Sequence, residues 1–345
     1  MSNTSTAIAP KPEVVEAPKA GATSTRKRWD IRRGGEVLAL ILLILIFSLL
    51  NRETFPTLIN LQAILDQASV PLIIGVGATL VILLGCIDLS VEGLMSACGV
   101  TFVLLSANSR MTMDLGVWAV VVGVALGAAL GLANGAVHTL LRVPSFIVTL
   151  GMGFVGFGLS SVIYGTDSLP LLNDGGIKQW PAQQFLGLPY SFWLAAAVVA
   201  VGAFVARYTR LGRFTYAIGN NEQIARDNGV PVNRYKVAVF TIAGACSGLA
   251  GVLTTMQLGS SPAQIGAGVL FLTIAAVVIG GTSLGGGKGG ILRTTVGVLM
   301  LTVLNNGLLI AGVSVNIRSA VSGGILIVAI VAAAWPYRSR LRIVK

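Results

Sequence analysis

Histidine occurs once in this 345-residue chain, acidic side chains thirteen times, and charged residues make up only 11% of it. Each shortage excludes something. With one His and few carboxylates, general acid–base catalysis has little to work with. There is no H-E-x-x-H, and the run GGTSLGGGKGG lacks the G-x-x-x-x-G-K-[ST] spacing of a nucleotide-binding loop. The three cysteines, Cys86, Cys98 and Cys246, lie in apolar runs without metal-ligand spacing, and read as small buried hydrophobes. His138 ends an apolar run with no partner motif and reads as a packing or interfacial side chain. Ordinary soluble domains carry about 25% charged residues, so that class is excluded as well.

What is present is apolar. Hydrophobic residues make up 54% and glycines number 43, with a mean hydropathy of +0.83. Small residues let membrane helices approach closely. The apolar runs are roughly 36–50, 62–86, 91–107, 115–140, 144–164, 190–206, 236–258, 268–284, 291–312 and 318–335. The predicted fold is therefore an all-α polytopic membrane protein of about ten transmembrane helices, some broken at glycine-rich points, with both termini cytoplasmic. The charge distribution is the test: this topology puts twenty Lys and Arg inside and four outside, Arg52, Arg110, Lys178 and Arg318. The same asymmetry explains the net charge of +11 as topology, with no call for nucleic acid.

Residues 1–33 read as a disordered cytoplasmic tail, 34–337 as the transmembrane domain, and 338–345 as a basic cytoplasmic tail. No cleavage site follows the first span, so it reads as a retained helix. The longest outer loop, 165–189, holds three prolines, a Gly-Gly and Trp180. It reads as a short lid, a re-entrant hairpin or a plain connector. Two glycine-rich breaks, 83–93 and 278–290, align loosely with Gly85 over Gly280 and Leu89 over Leu284, the kind of internal repetition seen in transporters.

Asp88 and Glu92 are carboxylates between apolar helices. An ionisable group there is a functional candidate, while Asp88 could equally cap the helix that follows. Asn134, Ser145, Thr149, Asn305 and Asn306 are polar residues inside spans. They hydrogen-bond between helices or, together with Asp88, line a path for a hydroxyl-rich solute.

The stretch 207–236, RYTRLGRFTYAIGNNEQIARDNGVPVNRYK, interrupts the apolar region with six basic residues. After Leu211-Gly212-Arg213 an apolar turn is expected. Asn221 then caps a short helix that ends at Gly229, with Glu222 and Arg226 at the favourable i,i+4 spacing and Pro231 blocking continuation. Such a helix on the cytoplasmic face suits insertion into a partner's groove.

Together LLGCIDLSVEG (83–93), VPSFIVTLGM (143–152), RYTRLGRFTYAIGNNEQIARDNGVPV (207–232) and IGGTSLGGGKGG (279–290) carry a resemblance. Over about 36–335 the chain resembles the permease subunits of bacterial ABC sugar importers of the ribose, xylose, arabinose and galactose type. More distantly it is similar to branched-chain amino acid permeases. It departs from them at Glu92, where the family usually has Gly, and at Gly219-Asn220-Asn221, where Gly-Gly-Asn is common. The resemblance implies a non-catalytic, multi-pass subunit of the inner membrane without a cofactor. It implies a separate cytoplasmic ATPase, a periplasmic sugar-binding protein and a second permease chain in a homodimer. The coupling region that meets the ATPase falls on Gly219, Asn220, Glu222, Ala225, Arg226 and Gly229. The implied cargo is a monosaccharide or related polyol. Rival readings are an ABC permease for a nucleoside, inositol, an autoinducer sugar or an amino acid, an ion-coupled secondary transporter using Asp88 and Glu92, and a membrane scaffold.

Overall fold

The computed structural model describes residues 34–173, 175–314 and scattered positions from 316 to 331. Its helices are α1 (Gly35–Leu50), α2 (Leu58–Leu83), α3 (Val91–Leu105), α4 (Val117–Leu140), α5 (Ser145–Tyr164), a short α6 (Gly176–Gln179), α7 (Tyr190–Tyr208), α8 (Arg210–Asn220), α9 (Glu222–Asp227), α10 (Val232–Leu258), α11 (Val269–Ile279) and α12 (Ile291–Ile310). Six of these, α2, α4, α5, α7, α10 and α12, are long and apolar enough to cross a membrane, while α1, α3 and α11 are apolar but shorter. Nine predicted runs are thus helical in whole or part. The run 318–335 and the tails 1–33 and 338–345 lie largely or wholly outside the described residues.

Helices α2 and α10 form the centre, and α4, α5 and α7 are mostly surface. The outward residues of that surface are large and apolar, including Phe154 and Val162 on α5 and Phe204 on α7, as a lipid-facing wall requires. Lipid is as apolar as leucine, so helix association rests on close packing. Gly123, Gly127, Gly131 and Gly135 recur every four residues along one face of α4. A Cβ on Gly127 would stand 2.8 Å from the Gly248 Cα of α10, and one on Gly131 2.9 Å from the Gly244 Cα. The two backbones touch where side chains would hold them apart.

The expected span 268–284 is not continuous. Its helix α11 has 11 residues, about 16 Å at 1.5 Å per residue, against a hydrocarbon thickness of about 30 Å. The chain reaches α11 without helix, through 259–268, packed along α3. Leu171 bridges to Ser260 at one end, Ser160 donates to the Ala263 carbonyl at 2.6 Å, and Ser96 accepts from the Gly266 amide at 3.1 Å. Irregular backbone at membrane depth is tolerated only where protein satisfies it, and these hydroxyls do so. Residues 165–189, in contrast, supply α6, a 3-10 turn at Trp180–Ala182 and a hairpin of β1 (Gln184–Phe185) and β2 (Leu188–Pro189). Leu171 and Leu172, within that loop, bridge to Ser260 and Asn108. It is a tied connector among the loops at one end of the bundle.

The two glycine-rich breaks share one backbone device. Gly85 and Gly281 both have φ of 77°, a left-handed conformation that glycine adopts freely. Each ends a helix with paired bonds: Gly85 N to Ile82 O and Cys86 N to Val81 O, then Gly281 N to Val278 O and Thr282 N to Val277 O. This is the Schellman arrangement. The equivalence is Gly85 with Gly281, one residue off the expected register with Gly280.

Candidate functional site

The segment after α7 holds two short helices, α8 and α9, each started by a side-chain cap. Thr209 Oγ1 accepts from Gly212 N at 3.3 Å and starts α8. The predicted apolar turn is therefore a helix of 11 residues. Its inward face is Thr215 and Ile218, and Arg213, Ala217 and Asn220 point out. The spacing of Leu211, Phe214 and Ile218 fits a helix, but Gly219-Asn220-Asn221 reads as a break in the chain.

Asn221 does cap α9, accepting from Ile224 N at 3.0 Å, and Gly229 takes the left-handed conformation beyond its end. Glu222 pairs with Arg226 at 2.7 Å, and its second oxygen accepts from Lys236 on α10 at 2.8 Å. Arg226 also donates to Asn233 at 3.1 Å. Burial pushes the Glu222 carboxyl up, but the bonds from Lys236 and Arg226 outweigh it and hold it below its ordinary value. Ala225 is buried and Ile224 is 59% exposed. So α9 is clamped to the start of α10 and offers Ile224 outward. Lys236, counted at first only as topology, is a buried member of this clamp.

At its other end α8 meets both breaks. A Cβ on Gly219 would overlap the Leu83 carbonyl and stand 2.6 Å from the Gly287 amide. That amide donates to Leu83 O at 2.9 Å. A Cβ on Gly286 would lie 2.8 Å from Gly85 N and 2.9 Å from Gly219 O. Asn220 Nδ2 donates to Tyr216 O at 2.9 Å and reaches Gly287 O at 3.5 Å. The end of α2, the loop before α12 and the end of α8 thus form one junction of close backbone contacts at Gly219, with the Asn220 side chain lying against Gly287.

Four of the six candidate pathway residues come together, around the unwound 85–90 segment. Ser145 and Thr149, one turn apart on α5, accept from the amides of Ile87 at 3.1 Å and Leu89 at 2.9 Å. Asp88 Oδ1 accepts from the Ser90 amide at 2.8 Å and hydroxyl at 2.6 Å. Ser90 in turn accepts from Asn134 Nδ2 at 2.8 Å, and Asn134 Oδ1 is buried without a partner. The helix cap position itself is Ser90, and Asp88 steadies the turn into it. Asn305 and Asn306 lie apart, on α12. Asn305 bonds to Leu301 O at 3.0 Å, and Asn306 is buried. Glu92 has a role that the sequence reading missed. Its Oε1 accepts from the amides of Gly268 and Leu270, both at 3.0 Å, so a side chain of α3 caps the start of α11 from 176 residues away in sequence.

His138 packs edge-on to Phe240 and its Nδ1 lies 2.6 Å from Val143 O. Gly281–Gly285 spells G-x-S-x-G, but it joins two helices where a nucleophile elbow joins strand to helix. Ser283 Oγ there accepts from the Gly285 amide.

The family model for branched-chain amino acid transport system / permease component matches residues 60–330. The chain is 37% identical to the ribose import permease protein RbsC of Escherichia coli (strain K12), over 85% of this chain and 91% of that protein. It is 37% identical to the RbsC of Bacillus subtilis (strain 168), over 86% and 91%. It is 35% identical to the D-allose transport system permease protein AlsC of Escherichia coli (strain K12), over 88% and 91%. No solved structure matches the chain. With its long apolar helices, the chain is a multi-pass protein of the bacterial inner membrane, and it belongs to this family of transport-system permease components.

Proposed function

We propose that this chain is the membrane-spanning, non-catalytic subunit of an ATP-driven importer for a monosaccharide or related polyol. The similarity to ribose and allose permeases supports the cargo class. The single observation that carries the mechanism is the junction of Gly219 with Leu83 and Gly287. In this reading ten spans place both termini in the cytoplasm, and α8 and α9 face a separate ATPase there. The ATPase seats on α9, around Ile224 and the Glu222–Arg226 pair, and its closure on ATP moves α8. Because Gly219 abuts both breaks without an intervening side chain, that motion is delivered to the hinges before α3 and α12. A second copy completes the pathway, and a periplasmic binding protein delivers solute to the opposite face. Access alternates as a population shift between inward-facing and outward-facing states. Asp88, Asn134, Ser145 and Thr149 hold the first hinge in its unwound form, which places it beside the path. Asn305 and Asn306 remain lining candidates on α12.

The test is uptake of labelled D-ribose and D-allose into vesicles containing the chain, its ATPase and its binding protein. Uptake that needs ATP and survives collapse of the proton gradient supports the reading. Uptake that follows the gradient and ignores ATP sinks it in favour of an ion-coupled transporter.

A further inference from the structure

A cavity of about 680 Å³ opens between α7, α8 and the start of α12. It plays no part in the junction. Arg207, Arg213 and Arg293 line it, and no carboxylate does. Among the described residues neither Arg207 nor Arg213 has a carboxylate partner, whereas Arg293 has the Glu36 carboxylate near it, both flanking Gly281. Arg207 rests over the Tyr208 ring at 5.6 Å. Tyr216 closes the floor by donating to Gly289 O at 3.1 Å, which ties α8 to α12. The remaining wall is Ala200, Ala203 and Phe204 of α7. Phe204 and Tyr208 are 59% and 62% exposed, on a helix long and apolar enough to cross a membrane.

One end of this cavity is therefore cationic and the other opens along the apolar surface of α7. We propose that it is a site for an acidic phospholipid. The arginines take the phosphodiester at headgroup level, and the acyl chains lie along Ala200, Ala203 and Phe204. Guanidinium forks suit phosphate oxygens, and basic pockets between helices on the cytoplasmic side take anionic headgroups. The leaflet follows from the sidedness proposed above; the binding chemistry does not depend on it. A free phosphate would use the same arginines and make no use of the α7 wall.

Native mass spectrometry of the full-length chain in detergent is the test, with dioleoyl phosphatidylglycerol and dioleoyl phosphatidylcholine as probes. The wild type should retain phosphatidylglycerol in preference. The triple variant Arg207→Gln, Arg213→Gln, Arg293→Gln should lose that preference by about tenfold or more. Arg210→Gln, on the same helix outside the cavity, should keep it. Equal retention by wild type and triple variant overturns the site. Displacement of the lipid by millimolar inorganic phosphate overturns the lipid assignment in favour of a free-anion site. A triple variant that keeps its lipid but loses capture of the ATPase makes the surface a protein contact, and also overturns it. Should the triple variant fail to insert, a photoactivatable phosphatidylglycerol on the wild type decides. Adducts on Phe204 or Tyr208 support the site, and adducts confined to other helices overturn it. No transport is measured, so failure of the importer reading and failure of this one are separate results.

Discussion

Gly219 sits directly against the main-chain carbonyl of Leu83, with room for a hydrogen and no more. A helix end that touches a hinge through backbone alone transmits displacement without the play that a side-chain rotamer would add. The contact is close because both neighbours are backbone atoms, which cannot move aside as a side chain can.

Gly219→Ala should therefore force the junction apart. Overpacking of this kind costs about 1–3 kcal/mol, enough to shift a two-state balance by about tenfold. The expected outcome is a normally inserted protein whose uptake per ATP hydrolysed falls by about that factor. Uptake and phosphate release in the same proteoliposomes give the ratio. An unchanged ratio would remove Gly219 from the coupling route.

The clamp on α9 predicts a separate uncoupling. Replacing Glu222 and Arg226 together by Ala, or Ala225→Pro within the helix, should leave insertion intact and disconnect ATP hydrolysis from uptake. Normal uptake in both variants would retire the assignment of α9.

The same clamp has a pH dependence. The Glu222 carboxyl is held below its ordinary value of 4.5, so its contribution is present above that value and lost as pH falls through the depressed one. A spin label at exposed Ile224 should keep constant mobility from neutral pH down to the ordinary carboxylate value and loosen only below it. Loosening near neutral pH would show that another group holds α9.

Glu92 caps α11 from a different helix, which predicts an order of variants. Glu92→Ala removes both bonds and leaves the amide of buried Leu270 unsatisfied, at about 1–3 kcal/mol, while the exposed Gly268 amide can turn to water. Glu92→Gln keeps a carbonyl oxygen for the same amides and loses only the charge at a helix start, about 0.3–1 kcal/mol. Thermal unfolding in detergent should therefore rank wild type, then Gln, then Ala. Equal losses in both variants would mean that the charge, and not the bonds, does the holding.

Ser145 and Thr149 hold two amides, of Ile87 and Leu89, in one unwound segment, so their losses should not add. Ser145→Ala and Thr149→Val should each destabilise by about 1 kcal/mol, and the double variant should differ from the sum because the partners act on one element. Asp88→Asn should cost little and leave transport working, since Asn is also a good partner for such a turn.

Much of this was legible in the chain. The apolar runs, the cap at Asn221, the stop at Gly229 and the pair Glu222–Arg226 are local, and local chemistry is written in consecutive residues. The positions of α2, α4, α5, α7, α10 and α12 followed from length and apolarity. What was missed shares one property. The partner of Glu222 on α10, the capping of α11 by Glu92, and the grouping of Ser145, Thr149, Asp88 and Asn134 join residues far apart in sequence. The helix α8 was missed for a different reason. Gly219 reads as a chain break, but it is there because the backbone of Leu83 and Gly287 comes too near for a side chain.

The sequence by itself determined that this is a helical membrane protein and where its glycine-rich breaks and its polar module lie, because burial in lipid and helix capping act on single residues and short runs. Only the tertiary structure decided that 259–268 is an irregular segment held by hydroxyls of α3 and α5, that both breaks meet the end of α8 and that Glu92 closes the start of α11. These depend on which backbones lie within a few ångströms of each other, and in lipid that is settled by close packing and by the hydrogen bonds each unwound segment must find.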